Sequence, residues 1–591
     1  MVIYKKSDQF NYYSRANGES ISYSDGSDVE ENIFNIIKSV SDKSVLSDEL
    51  TNKIHDWPTE YHFSKSRHCL LRPLPFKPED SILELGCGCG AITRYLGEVG
   101  ADVDSVEGTH SRARVAGERC MDLPNVSIFV DNLLNFESDK RYDWVLFIGV
   151  LEYAPLFSTE KDAIQHYLRE AKKYLKPNGK LVVAIENKLG LKYFNGCVED
   201  HVNQPYFGIE NHYKVPGPVT FGKVELTSIL NKAGFNRLDY YYPFPDYKLP
   251  NLVIHESAFN QKNFSVGELL RNVNSRDYGG RVFRAFSESF VWPELEKNNL
   301  VEDFSNSFLV VANNDEISSK GFAWYYNTNR KKNYSTETTF KTVDQEINVE
   351  KKSLNQDFKK SKIVTLLDLD EKYIFGCSIQ ELVENSWHKN RDKEKILDIY
   401  KIWLDFVIEH SNYSKDGSVI FTEATVESRF LDLTPFNVKL CKDGLISFDQ
   451  EWVWKADVPL LWVIFRGLHW SIHNLNTAHP LEIDIYDEVI SLIEKSITNI
   501  NRDNIGELMS DVISLEKKFI FEVSGFEINI NSKVCKYPSR YSDLESKNYS
   551  LLQEREFIET EMSKLRTQLD KYEKSFPVRM LRNAKRLLKI K

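Results

Sequence analysis

Cysteine is scarce in this sequence, and long apolar runs are absent. Only 8 of the 591 residues are cysteine, and most stand alone along the chain, which indicates reduced thiols in a cytosol. A membrane-spanning helix needs about 18 consecutive apolar residues, whereas the best candidate, Val458 to Phe465, is followed by Arg466. The first residues contain no apolar segment, so we expect no secretory signal. These absences favour a soluble, cytoplasmic protein.

A surplus of positive charge is also missing. The chain has 76 Lys and Arg against 87 Asp and Glu, a formal net charge of −11. This balance argues against a general nucleic-acid binder, which would present a strongly basic face. Hydrophobic residues make up 41% and aromatic residues 13%, enough for sizeable cores. At about 150 residues per domain, the length predicts three or four structural units.

Short apolar runs alternate with helical periods in the first half of the chain. The predicted strands occupy residues 81–85, 102–106, 126–130, 142–148, 180–185 and 307–312. A helix at 91–99 separates the first two, and strand, helix, strand at this spacing predicts an α/β fold, with a parallel sheet covered by helices on both faces. We place this domain at 51–315, after a polar N-terminal arm at 1–50.

Three glycines at alternate positions, Gly86, Gly88 and Gly90, directly follow the first predicted strand. Glycine lets the backbone bend sharply and approach a ligand closely, with the N-terminus of the next helix facing that ligand. Glu107 ends the second strand, where a carboxylate can accept both ribose hydroxyls. Asp131 follows the third strand, where an acid can bind an adenine amino group. The pattern predicts a nucleoside cofactor; an NAD-binding Rossmann domain, which also uses a glycine turn and an acid, is the alternative.

Glu84 before the glycines, and a fourth strand ending in Glu152-Tyr153, sharpen this interpretation. The ordered motifs resemble the class I S-adenosylmethionine-dependent methyltransferases over residues 30–315. The resemblance implies a Rossmann-like seven-stranded sheet whose last strand is inserted antiparallel, matching the late strand. It also implies that the glycines cradle the methionine part, that Glu107 holds the ribose, and that Asp131 with Asn132 meets the adenine.

Tyr61 and Arg67 lie in a segment that precedes the first strand. A helix there can fold over the cofactor, with Tyr61 stacking or hydrogen bonding and Arg67 pairing with the cofactor carboxylate. The alternative is a capping helix with a surface arginine.

A polar stretch after the fifth strand contains Glu199, Asp200, His201 and His212. Loops that leave the carboxyl ends of parallel strands line the ligand crevice, so these residues are the predicted substrate contacts. His201 or His212 can act as general base if a sugar hydroxyl is methylated, whereas a phosphate oxygen needs no base. Solvated loop histidines are the alternative. This stretch resembles methyltransferases of bacterial surface-polysaccharide (O-antigen) clusters.

The second half carries a different constellation: Asp432, Asn437 five residues later, a predicted hairpin, and Asp449. In phosphoryl transfer the first Asp accepts the proton of the substrate hydroxyl, and the Asn and second Asp hold Mg²⁺ on the nucleotide phosphates. The pattern resembles the protein-kinase-like and aminoglycoside-phosphotransferase-like superfamily. The resemblance implies an α+β kinase-like domain, placed at 316–540, that uses Mg²⁺ and ATP, with Asp432 as catalytic base and Asn437 and Asp449 as metal ligands.

Lys351 is the candidate for the lysine that such a domain carries on its third strand. Its neighbour Lys352 is the rival and points to the other face of a strand. The sequence departs from the family because no Gly-x-Gly-x-x-Gly loop is present, and residues 324–329 (Trp-Tyr-Tyr-Asn-Thr-Asn) stand in its region. Two hypotheses stay open: an active phosphotransferase, or a scaffold that performs no chemistry.

The C-terminal region shows a heptad and then a basic segment. Apolar residues recur every seven positions over 541–575, which predicts a coiled coil and self-association. Residues 576–591 contain basic but no acidic residues, with apolar side chains on one helical face, and this predicts a helix on an anionic membrane surface. A solvated end, or a helix packed on a partner, is the alternative.

The order methyltransferase, kinase-like domain and coiled coil resembles the bifunctional kinase–methyltransferases that terminate bacterial O-antigen chains. The resemblance implies a methyltransferase that modifies a surface polysaccharide or its lipid-linked precursor, capping the chain end after phosphorylation. It also implies a glycosyltransferase or polymerase partner, and a position on the inner face of the cell membrane. The alternative is a sugar O-methyltransferase whose second half is a scaffold for a glycosyltransferase.

Overall fold

The computed structural model describes residues 4–15, 26–280, 284–313, 320–355, 361–414, 418–497 and 502–536, together with helical pieces between 555 and 567. Most of the predicted coiled coil at 541–575 and all of the basic segment at 576–591 lie outside the described residues, so both stay predictions. Among the described residues, no helix combines the length and apolar character needed to cross a membrane.

Ten strands belong to the described residues of the first half. They are β1 (Tyr4–Lys6), β2 (Tyr13–Arg15), β3 (Ser81–Leu85), β4 (Asp102–Glu107), β5 (Val126–Val130), β6 (Tyr142–Ile148), β7 (Leu175–Glu186), β8 (Arg237–Phe244), β9 (Leu252–His255) and β10 (Ser307–Asn313). Seven of them lie in the order β5-β4-β3-β6-β7-β10-β8. Strands β3 to β7 are parallel, whereas β10 is antiparallel to β7 and β8. The predicted parallel α/β sheet is confirmed, and the late strand lies inserted in it antiparallel.

Twelve α-helices accompany these strands in the part of the first half that the structure describes. They are α1 (Ser27–Ser39), α2 (Asp48–Thr51), α3 (Trp57–Phe63), α4 (Ala91–Val99), α5 (His110–Arg119), α6 (Ala154–Phe157), α7 (Ala163–Tyr174), α8 (Leu191–Phe194), α9 (Lys223–Lys232), α10 (Val266–Leu270), α11 (Glu288–Lys297) and α12 (Val301–Phe304). All five residues of β3 are buried, as expected of a strand covered on both faces. The carboxyl ends of β3, β4 and β6 therefore meet at one edge of a covered sheet.

The described part of the N-terminal arm is structured. Strand β2 pairs parallel with β5, and β1 pairs with β2, so the sheet extends beyond its predicted edge. The Tyr4 ring lies 5.2 Å from Phe129 in an edge-to-face arrangement, and Tyr13 stacks on Phe129 at 5.4 Å. The polar average composition of this arm did not predict the two strands. A few aromatic residues are enough to pack two three-residue strands against an apolar edge.

The described residues between 320 and 536 contribute thirteen strands and five α-helices. The strands are β11 (Ala323–Asn327), β12 (Thr336–Val343), β13 (Glu346–Ser353), β14 (Val364–Leu366), β15 (Leu369–Lys372), β16 (Cys377–Ser378), β17 (Thr425–Val426), β18 (Val438–Cys441), β19 (Gly444–Ser447), β20 (Trp452–Trp454), β21 (Val458–Pro459), β22 (Leu481–Asp484) and β23 (Lys533–Lys536). The helices are α13 (Ile379–Asn390), α14 (Lys393–Glu409), α15 (Leu460–His473), α16 (Ile485–Ser496) and α17 (Arg502–Ser524). Helices α13 to α17 surround the largest apolar core of the described chain, which includes Trp403 and Trp462.

The two halves share one sheet. Strand β9 pairs with β8 on one side and with β11 on the other, and the order continues β11-β12-β13-β15. The result is a single sheet of 14 strands, which runs across the boundary predicted near residue 315. An exposed edge of a sheet offers unpaired backbone groups to another strand, and β11 occupies the edge of β9. The predicted domains are therefore joined by backbone hydrogen bonds.

Candidate functional sites

A first cavity, of about 580 Å³, lies at the carboxyl ends of β3, β4 and β6. Its volume falls in the range of roughly 300–1,000 Å³ that is usual for small-molecule sites. Its lining includes Gly86, Gly88, Glu107, Gly149 and Val150. Ligands of open α/β sheets bind in the crevice outside these strand ends, so the cavity has the position predicted for a nucleoside cofactor.

The glycine turn borders this cavity without blocking it. At Gly86, with φ at +88°, a Cβ would come within 2.6 Å of the Val150 side chain, and at Gly90 it would come within 2.9 Å of the Ala116 backbone. Gly88 also has a positive φ, +55°, but a Cβ there would meet nothing within 4 Å. Two glycines thus allow close packing of the turn, while the third leaves open space on the cavity side. This cradle suits a bulky ligand.

Two acids next to the glycine turn accept hydrogen bonds from different neighbouring groups. One oxygen of Glu107 accepts a hydrogen bond from the amide of Gly88 at 2.9 Å, and the other accepts from Thr109. Glu84 lines the cavity but accepts hydrogen bonds from the hydroxyls of Thr93 at 2.6 Å and Ser105 at 2.9 Å. Burial raises the pKa of Glu84 to about 7. Glu84 therefore connects β3 to α4 and β4, whereas Glu107 holds the turn itself through Gly88.

Helix α3 brings Tyr61 to the cavity, as the sequence predicted. Asp56 begins this helix through a hydrogen bond from the Thr59 amide at 2.9 Å. The Arg67 guanidinium donates to the Tyr61 hydroxyl at 3.0 Å and to the carbonyls of Tyr247 and Lys248, both at 3.0 Å. Arg67 is buried and lines the cavity. The structure thus brings Tyr61 and Arg67 together at the predicted place.

His201 and Asp200 line the same cavity and lie among buried acids. The Nδ1 atom of His201 lies 3.0 Å from Glu199, and its Nε2 atom lies 3.7 Å from both Glu152 and Glu186. Burial by itself would lower the pKa of His201, but the surrounding carboxylates outweigh it and hold this pKa well above its ordinary value. An imidazolium has no lone pair for a proton, so these surroundings alone do not suit His201 to be a general base.

Five predicted contacts lie outside the lining of the first cavity: Asp131, Asn132, Gly90, Glu199 and His212. Asp131 accepts a hydrogen bond from the Tyr4 hydroxyl at 2.5 Å and pairs with Arg15 at 3.0 Å. His212 is exposed and lies 2.7 Å from Glu210. Their roles stay predictions, and the structure offers other partners for the first and the last of them.

A second cavity, of about 560 Å³, lies between the shared sheet and the helices of the second half. Lys351 lines it, whereas Lys352 points to the other face, with 62% of its side chain exposed. The ammonium group of Lys351 contacts Asp449 and lies 3.1 Å from Glu451. Burial outweighs the attraction of Lys351 and raises the pKa of Asp449 to about 6. The structure therefore joins two predicted phosphotransfer residues that are far apart in sequence.

Asp432 and Asn437 meet at the same cavity. The Asn437 side chain donates to an Asp432 carboxylate oxygen at 2.9 Å, and Arg466 lies 3.0 Å from the other oxygen. Asp449 has a positive φ of 56°, an uncommon backbone conformation for a residue with a side chain and one that clusters at functional sites. All four residues predicted for the second site therefore line one cavity.

Several residues of both sites escaped the sequence analysis as functional candidates. Lys248 lines the first cavity, and Glu152 and Glu186 lie beside it, each 3.7 Å from His201. At the second cavity, Arg330 lies 2.7 Å from Glu451. Glu152 follows β6 and Glu186 ends β7, so a search for acids at carboxyl ends of strands would have found both. Lys248 and Arg330 lie in irregular segments, and no local spacing marks them.

Comparison with known proteins adds a family match. Residues 83–181 match a family model described as a methyltransferase domain. A ubiquinone biosynthesis O-methyltransferase of Rickettsia conorii is 22% identical over 171 residues, covering 29% of this chain and 54% of the relative. A demethylmenaquinone methyltransferase of Tropheryma whipplei (strain Twist) is 27% identical over 133 residues, covering 22% of this chain and 52% of the relative. The chain thus spans about half the length of these curated relatives.

A solved structure of phospholethanolamine N-methyltransferase 2 from Haemonchus contortus, in complex with phosphomonomethylethanolamine and S-adenosylhomocysteine, matches with 16% identity and a TM-score of 0.26. The match covers 43% of this chain and 52% of that one. The family match begins in β3 and ends in β7, and so contains the glycine turn and Glu107. By the family match, residues 83–181 form a methyltransferase domain.

Proposed function

We propose that this protein transfers the methyl group of S-adenosylmethionine to an oxygen of a bacterial surface polysaccharide or its lipid-linked precursor. The observation that carries the methyl transfer is the first cavity, where an open cradle at Gly88 stands beside the Glu107 carboxylate at the ends of β3 and β4. Glu107 would hold the ribose, and Arg67 with Tyr61 the methionine carboxylate. S-adenosylmethionine supplies the electrophilic methyl.

The protein's own contribution to this reaction is positioning. Holding an acceptor in line with the methyl group converts an encounter of two molecules into an effectively unimolecular step. The acceptor oxygen would enter where Asp200, His201 and Lys248 line the cavity. Charged and hydrogen-bonding side chains on this side suit a hydroxyl or a phosphate oxygen. The names of the two curated relatives refer to quinones. They support methyl transfer, whereas the choice of a glycan as acceptor is supported only by the sequence resemblance.

The test is methyl incorporation from radiolabelled S-adenosylmethionine into a purified lipid-linked oligosaccharide, with the acceptor supplied both with and without a terminal phosphate. We expect label in the glycan with wild type and none with Gly88→Asp. Label in a quinol but not in the glycan would overturn the polysaccharide assignment while retaining the methyltransferase.

A second activity, phosphorylation of the glycan end, is proposed for the second cavity. What favours it is the approach of Lys351 to Asp449, with Asp432 and Asn437 bonded to each other in the same cavity. In this proposal Asp432 accepts the hydroxyl proton, and Asn437 and Asp449 hold Mg²⁺ of Mg²⁺·ATP. The phosphorylated end would then be the methyl acceptor.

The alternative function of the second half is a scaffold that docks a glycosyltransferase or polymerase. Self-association through 541–575 and reversible binding of 576–591 to the inner face of the cell membrane belong to this proposal as well. Deletion of 541–591 tests these roles of the C-terminal region. Methyl transfer to a soluble acceptor should persist, while co-sedimentation with anionic vesicles and co-purification of the polymerase should be lost. Unchanged sedimentation would overturn the membrane assignment.

A further inference from the structure

Three side chains that together could hold a metal ion lie beside the first cavity. They belong to Glu152, Glu186 and His201, and their potential ligand atoms lie within 4.8 Å of one another. The His201 Nε2 atom is 3.7 Å from a carboxylate oxygen of each glutamate, too far for a hydrogen bond. Ligands about 2.0–2.2 Å from a metal, at tetrahedral angles, lie about 3.3–3.6 Å apart. The two histidine–glutamate separations, 3.7 Å each, are close to this value, and the glutamate oxygens lie within 4.8 Å of each other.

The glutamates lack the hydrogen bonds that buried carboxylates normally make. Both are fully buried, yet both oxygens of Glu152 and the Oε2 atom of Glu186 have no hydrogen-bond partner in the described structure. The other oxygen of Glu186 is held by Lys248. A buried polar atom without a partner costs about 1–3 kcal/mol, and more when it is charged. The unpartnered oxygens face His201, so a bound cation would satisfy them together.

The histidine is oriented for metal binding from its far side. The Nδ1 atom of His201 lies 3.0 Å from Glu199, and Glu199 is itself held by the amides of His201 and Val202, both at 2.8 Å. A metal that binds Nε2 displaces the proton there, and a carboxylate that accepts the Nδ1 proton then fixes the tautomer whose Nε2 lone pair holds the metal, an arrangement usual around metal-bound histidines. Nε2 is the atom that faces the two glutamates.

The charge balance of the surroundings also calls for a cation. Among the described residues, the buried carboxylates of this cluster belong to Glu152, Glu186, Glu199, Asp200 and Asp246. Their cationic partners are Lys192, Lys248 and, in its protonated form, His201, so five carboxylates face three cationic groups. This leaves an excess of negative charge at the wall of the cavity, and isolated buried charges are strongly unfavourable unless they are paired or bind a metal.

We infer that Glu152, Glu186 and His201 bind a divalent first-row metal ion, with Glu199 as the group that orients His201. Carboxylate oxygens and one imidazole nitrogen suit Mn²⁺ or Zn²⁺. Because His201 borders the first cavity, the remaining coordination position can take the acceptor oxygen, which the cation would make a better nucleophile. This catalytic consequence rests on the proposed function, whereas the metal site does not.

Metal binding is tested on the full chain by Mn²⁺ titration followed by electron paramagnetic resonance, and by Zn²⁺ calorimetry. The parent protein in this test carries Asp449→Asn, so that metal bound at the second cavity does not contribute to the measured binding. We expect one ion per chain in the parent, loss of that ion in Glu152→Gln, and an affinity about 10–100-fold lower in Glu199→Gln. Glu210→Gln is the matched control, because Glu210 also lies beside a histidine but is exposed, and it should bind as the parent does.

Binding of neither Mn²⁺ nor Zn²⁺ by the parent overturns the inference, and so does unchanged stoichiometry in Glu152→Gln. Folding of each variant is checked by its circular dichroism, and the parent titration decides the question if Glu152→Gln does not fold. S-adenosylhomocysteine binding is measured in parallel. Its retention together with absent metal binding would refute the metal site alone, whereas its absence from the parent would refute the proposed methyltransferase.

Discussion

The carboxylate of Glu107 accepts a hydrogen bond from the amide of Gly88 at 2.9 Å. One acid thus connects the end of β4 to the turn that follows β3, and the same turn presents open space toward the cavity. Residues 19 positions apart in sequence form one continuous wall for a nucleoside ligand, because neighbouring parallel strands end at the same edge of the sheet.

Gly88→Asp should abolish binding of S-adenosylhomocysteine while leaving the fold intact. Nothing lies within 4 Å of a Cβ at this position, and φ is +55°, a region that Asp tolerates better than most residues. The new carboxylate would occupy the cradle and repel Glu107. Calorimetry should show at least a hundredfold weaker binding. Gly280→Asp is the control, since Gly280 has φ +76° and equally open surroundings; undiminished affinity in Gly88→Asp would contradict the assignment of the cavity.

Asp131→Asn should affect stability more than cofactor affinity. Its carboxylate is bound to Tyr4 and Arg15 and does not line the first cavity, so the substitution should loosen β1 and β2 at the sheet edge. We expect faster proteolysis within residues 4–15 and a change in S-adenosylhomocysteine affinity below about threefold. Tyr4→Phe removes the hydroxyl that donates to Asp131 and should have the same effects as Asp131→Asn. A tenfold loss of affinity in Asp131→Asn alone would instead support the predicted adenine contact.

Glu84→Gln should change the pH dependence of unfolding. The pKa of Glu84 is raised from 4.5 to about 7 by burial, so the folded state retains the proton longer than the unfolded chain. The resulting stabilisation is complete below about pH 4.5 and is lost as the pH rises to about 7, by up to about 3 kcal/mol. Gln does not titrate, so urea midpoints of wild type and variant should diverge over this range.

A second substitution checks the origin of that effect. The Thr93 hydroxyl stabilises the charged form of Glu84 through their hydrogen bond. Thr93→Val should therefore raise the pKa of Glu84 further and move the loss of stability to higher pH. Parallel midpoints of wild type and Glu84→Gln between pH 4.5 and 8 would show that Glu84 does not titrate in this range.

Asp449→Asn should remove binding of Mg²⁺·ATP from the full chain, because the amide supplies no negative charge for the metal. Lys351 would lose one of its two carboxylate partners but keep Glu451, so we expect the protein to fold. Lys352→Met is the control: this lysine is exposed and points away from the cavity, and calorimetry should show unchanged binding. If wild type itself binds no Mg²⁺·ATP, the second half is better explained as a scaffold.

Much of the first site follows from local sequence. Gly86, Gly88 and Gly90 stand directly after an apolar run, and Glu107 ends the next one. Position at a strand end is a property of the chain itself, so these residues could be placed before the fold was known. The same holds for Lys351 against Lys352, because alternate residues of a strand point to opposite faces. For these positions the sequence alone was informative.

The tertiary structure decided which distant groups meet. The local sequence pattern does not show that Glu152, Glu186 and His201 lie together. It also does not show that Tyr4 donates a hydrogen bond to Asp131, or that β9 joins both halves in one sheet. Each depends on contacts between segments brought together only by packing of the whole chain. Strands and helices are predicted from residues that are close together along the chain. The charge around a buried carboxylate instead depends on every segment that packs against it.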